Sequence, residues 1–236
     1  PEEFNPVVVD FYREVGFLSE AIVNYLALLG WSLDDKTEFF SMAELIEHFS
    51  LDRVNKAPAS FDPQKLWAFQ DHHMQQVPIA EKTAMVLPYL QQAGLVADPP
   101  ADADTRKIEQ ILIAAGDRIK TSGDVLDFAD FFLADDALPY DEKALEKRLR
   151  KPEGAAALLA KFKTVLATAE PFDAETLDKL LHEFIEAEQI KVGQLIHALR
   201  VATTGKGVGL GMFDTLAILG KESCLRRIER ALEACA

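Results

Sequence analysis

The sequence is short of cysteine, of long apolar runs and of positive charge, and each shortage excludes a class of protein. Its 236 residues contain two cysteines, Cys224 and Cys235, which are too few for a disulfide framework and typical of a reducing, cytoplasmic compartment. No apolar run approaches the roughly 20 residues of a membrane-spanning helix, and no signal peptide opens the chain, so we expect no membrane contact. The net charge of −14 argues against binding DNA, or RNA indiscriminately, because neutralising phosphates requires a basic surface.

Signatures of catalysis and of metal binding are also missing. The adjacent His72 and His73 point about 100° apart on a helix, so they do not converge on one metal ion. The acidic pairs at 34–35 and 135–136 lie in turns, where solvated carboxylates are commoner than an acid–base pair. TTGKGVG lacks the preceding strand of a phosphate-binding loop, and glycine follows Lys206 where that loop has serine or threonine. We therefore predict no catalytic residue, no metal site and no cofactor bound by this chain.

The positive charge that exists is concentrated near the C-terminus. From Lys191 onward the chain has seven Lys or Arg and four Asp or Glu, a net charge of +3, whereas the first 190 residues carry −17. The C-terminal segment is therefore the best local place for a polyanion, and the acidic remainder would suppress unwanted contacts.

Capping residues and hydrophobic periodicity predict an all-α fold. N-caps are expected at five positions ahead of amphipathic runs: Ser19, Ser41, Asp62, Asp104 and Asp173. At the second of these the sequence SMAE forms a capping box, and at the third a proline occupies the first helical position. No convincing strand alternation occurs. The helices should form two or three sub-bundles, joined near 76–78 and near 135–141.

Two helices carry more specific expectations. The helix from Ser19 to Gly30 is apolar on most sides, with Val23 and Leu26 among its apolar residues, and is predicted to be central and buried. The helix that contains Pro88 is predicted to kink or break near Val86, because proline lacks an N–H and clashes with the preceding turn.

The stretch at 193–227 predicts a helix, a glycine-rich turn and two further helices. Before the turn, His197, Arg200 and Thr204 follow at i, i+3 and i+7, which places them on one helical face. After the turn, Met212 opens a helix whose first N–H groups point back toward the loop. These features are consistent with a binding site for an anionic ligand that carries a nucleobase. They are equally consistent with an ordinary turn between two helices.

Two long blocks of the sequence resemble bacterial glutamyl-tRNA synthetases. VGFLSEAIVNYLALLGWSLDD is similar to that family's (E/V)G(F/Y)LPEALxNYLALLGWS stretch, and FSMAELIEHFSLDRVNKAPASFDPQKL follows it at the expected distance. VGQLIHALRVATTGKGVGLGMFDTLAILGKESCLRRIERAL resembles the family's C-terminal block, which contains the elements PLR and PGLF. The resemblance covers nearly all of the chain, and only the middle, 95–170, aligns loosely.

The resemblance implies the tRNA-recognition half of a glutamate–tRNA ligase. It places a stem-contact domain, which touches the inner side of the tRNA, at 1–77, and two anticodon-binding helical domains at 78–135 and 136–236. The implied partner is glutamate tRNA, and we expect a monomer. In this family the class I catalytic signatures, which use ATP and magnesium, lie ahead of the GFL…NYLALLGWS stretch. The chain by itself is therefore expected to be inactive.

The same resemblance assigns RNA-binding residues. Arg200 matches the arginine of PLR, in the domain that reads the first and second anticodon bases, and Met212 and Phe213 match the Leu-Phe of PGLF. Arg118 falls where discriminating members of the family read the third base, a cytosine, which would favour glutamate tRNA over glutamine tRNA. Together with the residues that border the same pocket, the predicted anticodon site comprises Arg118, His197, Arg200, Thr204, Lys206, Gly209, Met212 and Phe213.

The sequence also departs from the family pattern. Leu210 replaces the proline of PGLF, so the rigid turn becomes Gly-Leu-Gly, which we expect to be more mobile, and Ala198 replaces the proline of PLR. The opening PEEFNP contains no Lys or Arg that could belong to a class I signature. The alternative is a non-catalytic helical paralogue that has kept the fold for protein contacts, which the −17 charge of the first 190 residues favours.

Overall fold

The computed structural model describes residues 8–56 and 58–235 and confirms the predicted all-α class, since those residues form helices and loops without a strand. The loop predicted for PEEFNP lies outside the described residues. Within them are twelve α-helices: α1 Val9–Val15, α2 Ser19–Ala27, α3 Met42–His48, α4 Pro63–Gln76, α5 Ile79–Gln92, α6 Asp102–Ala115, α7 Glu142–Leu145, α8 Ala155–Ala167, α9 Ala174–Glu188, α10 Val192–Thr204, α11 Met212–Leu219 and α12 Lys221–Glu233. Short 3₁₀-helices lie at Leu51–Arg53, Gly116–Arg118 and Ser122–Phe131, and a π-helix lies at Glu146–Arg150.

The chain packs into two compact units. Of the described residues, one unit takes in those up to Gly94 together with Ala115–Leu126, and the other takes in Leu95–Ala114 and those from Asp127 onward. The three-domain division expected at 77 and 135 stays a prediction.

Local capping explains where several helices begin. The capping box of Ser41 and Glu44 is confirmed, because the Glu44 N–H donates to Ser41 Oγ and the Glu44 carboxylate accepts from the Ser41 N–H at 2.8 Å. Asp62 is confirmed as the N-cap of α4, and Asp173 as the N-cap of α9. These side chains accept N–H groups that have no partner inside the helix.

The other two predicted N-caps are wrong. Ser19 is the first residue of α2, and Leu18 takes the cap position without a side-chain bond of its own. The Leu18 N–H instead donates to Oε1 of the buried Gln70 at 2.8 Å, a partner 52 residues away in the sequence. Asp104 lies in the first turn of α6, which begins two residues earlier. A tertiary contact therefore takes part in the start of α2, and α6 begins ahead of its predicted cap.

Helix α2 also contradicts the prediction of a buried central helix. Val23 and Leu26 are 40% and 49% exposed, whereas Asn24 and Tyr25 are buried. Asn24 is accommodated because its side chain accepts the Phe40 N–H at 2.9 Å and donates to a second backbone carbonyl. The helix therefore buries a polar side chain with satisfied hydrogen bonds and exposes two apolar ones, an orientation that hydrophobicity alone does not predict.

Pro88 does not break α5. The helix continues from Ile79 to Gln92 through the proline. Val86 and Leu90 on either side are both buried, so packing offsets the one backbone hydrogen bond that proline cannot make.

The second unit has a core of aliphatic side chains from α7 to α12 and the π-helix. Its fully buried members include Leu145, Leu149, Leu159, Phe162, Leu177, Leu181, Leu195, Leu199, Leu216 and Ile228. The predicted order of helix, glycine-rich turn and two helices at 193–227 is confirmed by α10, α11 and α12.

One arginine ties this core to the loop that precedes it. Arg227 in α12 is 1% exposed, and its Nε donates to Asp135 Oδ1 at 2.6 Å. Its Nη atoms donate to the carbonyls of Asp130, Leu133 and Thr203, each at 2.9 Å. A guanidinium in a protein interior needs this degree of satisfaction, because an unmatched buried charge is costly.

Asp135 is therefore not the solvated loop carboxylate that the sequence predicted. Burial acts to raise its pKa, but hydrogen bonds from Ser223, Arg227 and Arg226 outweigh burial and hold the pKa of the Asp135 carboxyl below its usual value. The carboxylate stays ionised and joins the 130–138 loop to α12.

Replacing Arg227 with methionine should destabilise the second unit by about 3–5 kcal/mol, because it removes the buried charged partner of Asp135 and the donor to the carbonyls of Asp130, Leu133 and Thr203. Arg226 provides a matched control, since it contacts the same carboxylate at 2.8 Å but is 61% exposed. Arg226→Met should cost about 1 kcal/mol or less. Urea unfolding measures both, and equal losses for the two variants would contradict the role assigned to Arg227.

Candidate functional site

The predicted site is built around the C-terminal end of α10, where Gly205 sets the path of the chain. Gly205 has φ +72°, and a Cβ added there would lie 2.0 Å from the carbonyl oxygen of Pro139. The Asp141 N–H donates to the Gly205 carbonyl at 2.7 Å. Only glycine fits this close approach in a left-handed conformation, so the turn is fixed against the 139–141 segment.

Arg200 anchors the far side of the glycine-rich loop. Its Nη1 donates to the Leu210 carbonyl at 2.7 Å, and a Cβ at Gly209 would come within 3.3 Å of the same nitrogen. Leu210 is 1% exposed. The guanidinium contact and the burial of Leu210 argue against the added mobility expected for Gly-Leu-Gly.

Lys206 ties the same loop to the segment that Arg227 organises. Its Nζ lies 2.7 Å from Oδ1 of the buried Asp130 and donates to the Asp127 carbonyl at 2.6 Å. The Thr204 hydroxyl accepts the Lys206 N–H at 3.2 Å and donates to the Arg200 carbonyl at 2.9 Å. The ammonium of Lys206 is thus committed to an internal ion pair, which leaves less of its charge for a ligand.

Burial separates the predicted site residues into two groups. Thr204 and Met212 are buried, and the base contacts predicted for their side chains stay a prediction. His197, Arg200, Gly209 and Phe213 are half-buried. Next to them, Val208 is 79% exposed at the tip of the loop. The accessible part of the site is therefore the face of α10, the loop and the start of α11.

The surroundings of His197 are electropositive. Burial lowers the pKa of its imidazole, and the charges of Arg148 and Arg200 lower it further. Arg148 belongs to the π-helix. It was not predicted as a site residue because it lies outside the basic segment that begins at Lys191. The run EKRLRK at 146–151 was the signal that could have found it.

Arg118 is exposed and lies in the 3₁₀-helix Gly116–Arg118, within the first compact unit. The remaining predicted site residues belong to the second unit, so the site described above consists of those residues.

Two other features bear on function. No group of three or more His, Cys, Asp or Glu among the described residues is arranged to hold a metal ion. None of the helices described here is long and apolar enough to cross a membrane.

Comparison with known protein families gives two matches. The family described as "Anticodon binding domain" matches residues 81–232, which include the whole site around α10. The family described as "tRNA synthetases class I (E and Q), catalytic domain" matches residues 4–68.

Individual relatives and solved structures agree with these matches. Glutamate–tRNA ligases from Moorella thermoacetica and Herpetosiphon aurantiacus are 39% and 40% identical over 223 residues, which are 94% of this chain and 45% of each relative. A crystal structure of a glutamate tRNA ligase from Elizabethkingia meningosepticum, in complex with its amino acid, superimposes with a TM-score of 0.84 at 28% identity. It covers 95% of this chain and 43% of that protein. The chain thus spans less than half the length of these relatives.

The fold and the matched structures define an all-α module of the class I aminoacyl-tRNA synthetase kind. Since the anticodon-binding model matches well over half of the residues, the chain belongs to the anticodon-binding domain family.

Replacing Gly205 with alanine should destabilise the second unit by about 1–3 kcal/mol or more, because alanine is strained at positive φ and its Cβ would collide with the Pro139 carbonyl. Gly207→Ala is the matched control in the same loop. A Cβ there meets only the Ala144 side chain, at 3.6 Å, an ordinary contact. Thermal or urea unfolding of both variants checks the difference, and a Gly205→Ala variant as stable as Gly207→Ala would refute the constraint.

Proposed function

We propose that this chain is the tRNA-recognition part of a glutamate–tRNA ligase. In this role it binds the anticodon and the inner side of glutamate tRNA, so that a class I catalytic domain can attach glutamate with the use of ATP. The observation that carries the proposal is the coincidence of the anticodon-binding match at 81–232 with the accessible His197 and Arg200 on one face of α10. A cytoplasmic monomer is part of the same proposal.

The chemistry of Arg200 suits this role. Its guanidinium is half-buried beside an exposed glycine loop and is oriented by the Leu210 carbonyl. A guanidinium presents its donors in a planar fork, which matches a base edge or a phosphate. Anticodon bases are splayed out of the stack, so that such a fork can reach their edges. His197, one helical turn away, offers a flat ring for stacking.

Catalysis would belong to the rest of the ligase. The chain covers 45% of its curated relatives, and their name describes an activity of the whole protein. ATP and magnesium would serve the catalytic domain, and the residues described here are proposed to bind and orient the tRNA.

The second candidate function is a protein-interaction module, and one observation favours it. An apolar groove of about 510 Å³ in the first unit is lined by Val23, Leu26, Met42, Ile46 and Phe49. Exposed apolar patches often mark contacts with other proteins. Affinity for glutamate tRNA that falls with added salt decides in favour of RNA recognition, because a module that binds only proteins shows no such affinity.

Arg200→Ala should weaken binding of glutamate tRNA by about 1–3 kcal/mol if the guanidinium reads a base. Filter binding with the intact tRNA measures the loss. The matched control is Lys179→Ala, which removes one exposed positive charge from α9 of the same unit.

A second comparison separates base reading from loop support. For the wild-type chain, changing the first or second anticodon base should weaken binding, and in Arg200→Ala that penalty should shrink. A uniform loss with the base penalty intact would contradict base reading by Arg200.

Arg118→Gln should reduce discrimination at the third anticodon base. The wild-type chain is expected to bind glutamate tRNA more tightly than the same tRNA with guanine in place of the third-base cytosine, by about 1–3 kcal/mol for a bidentate contact. The variant should bind the two more equally. Arg53→Gln is the control, because Arg53 is also an exposed arginine in a 3₁₀-helix of the first unit. Unchanged discrimination in Arg118→Gln would remove this residue from the site.

A further inference from the structure

The basic run of the π-helix divides into paired and unpaired cations. Arg150 contacts the Glu142 carboxylate and donates to the Ala234 carbonyl at 3.0 Å, and Lys151 lies 3.8 Å from the Glu146 carboxylate. Lys147 and Arg148, in contrast, form no hydrogen bond or ion pair with another residue in the part of the chain that the structure describes. Two of the four cations in this run are therefore available to an outside partner.

The two available cations line a pocket. It has a volume of about 180 Å³ and lies where the π-helix meets the first turns of α8 and α10. Its polar lining residues are Lys147, Arg148, Glu153, Gln194 and His197. Lys147 and Arg148 outnumber the one carboxylate, that of Glu153. π-Helical turns are frequent at functional sites.

The ionisation of His197 is consistent with an excess of positive charge here. After burial, the next causes that lower its pKa are the charges of Arg148 and Arg200. A bound anion would offset those charges and favour the protonated ring. The surroundings of the pocket therefore carry more positive than negative charge.

We propose that this pocket binds a phosphate group of the RNA backbone. Lys147 supplies a compact charge and Arg148 a planar fork, and the amide of Gln194 adds a further donor. His197 lines the pocket, and Arg200 follows it one turn later on the same face of α10, so a single RNA strand can contact both places. The pocket positions the strand, while Arg200 reads it. This inference rests on the proposed function.

The salt dependence of tRNA binding tests the phosphate contact. Arg148→Gln should lower the slope of log affinity against log salt concentration by about 1, and it should weaken binding equally for tRNAs with different anticodons. Lys179→Gln, which removes an exposed charge from α9, should leave the slope unchanged. Both variants keep a polar side chain on an accessible position, so folding should be unaffected.

A second measurement needs no RNA. In the wild-type chain, inorganic phosphate should raise the midpoint of the His197 pH titration observed by NMR, because the anion stabilises the imidazolium. The effect should be absent in Arg148→Gln. Lys179→Gln is the control, and it should keep the phosphate effect on His197.

The outcomes distinguish the two proposals. If glutamate tRNA binds and Arg200→Ala weakens it, but Arg148→Gln leaves the slope unchanged, then the phosphate pocket is overturned and anticodon recognition stands. If phosphate leaves the midpoint of the His197 titration unchanged, the proposed phosphate pocket is likewise overturned. A wild-type chain that binds no tRNA overturns both proposals.

Discussion

The buried guanidinium of Arg227 is the interaction on which the site depends. It holds the carbonyls of Asp130 and Leu133 in the preceding loop and the carbonyl of Thr203 near the end of α10. The Asp130 carboxylate pairs with Lys206. Pro139, a few residues further along the chain, makes the close contact at Gly205. The glycine turn therefore takes its shape from a charge buried beneath it. The left-handed conformation of Gly205 permits this turn, and the hydrogen bonds of Arg227 stabilise it.

The sequence predicted the parts of the fold that local interactions determine. The capping box at Ser41 and the caps at Asp62 and Asp173 hold because each carboxylate or hydroxyl bonds to N–H groups two or three residues away. The predictions failed where distant residues intervene. Gln70 satisfies the N–H at the start of α2, and the buried Asn24 of that helix bonds to the Phe40 N–H while Val23 and Leu26 lie exposed. Neither effect leaves a periodic trace in the sequence.

The same distinction applies to the site. Arg200 and the loop after it were found because they are contiguous and carry the family motif. Thr204 and Met212 share that motif, yet the structure buries them, because the motif includes core positions as well as accessible ones. Arg227 and Asp135 were missed because they stand 92 positions apart and look, separately, like an exposed helix charge and a turn carboxylate.

The distribution of charge along the sequence also did not predict where the available cations lie in the folded chain. The +3 of the C-terminal segment includes Lys206, Arg227 and Arg230, whose donors are taken up by Asp130, Asp135 and loop carbonyls. These cations stabilise the fold and contribute less to the outer surface. Lys147 and Arg148 belong to the segment with a net charge of −17, yet they face a pocket beside His197. For a chain this acidic, the affinity for a polyanion depends on which cations lack internal partners, and that property belongs to the folded structure.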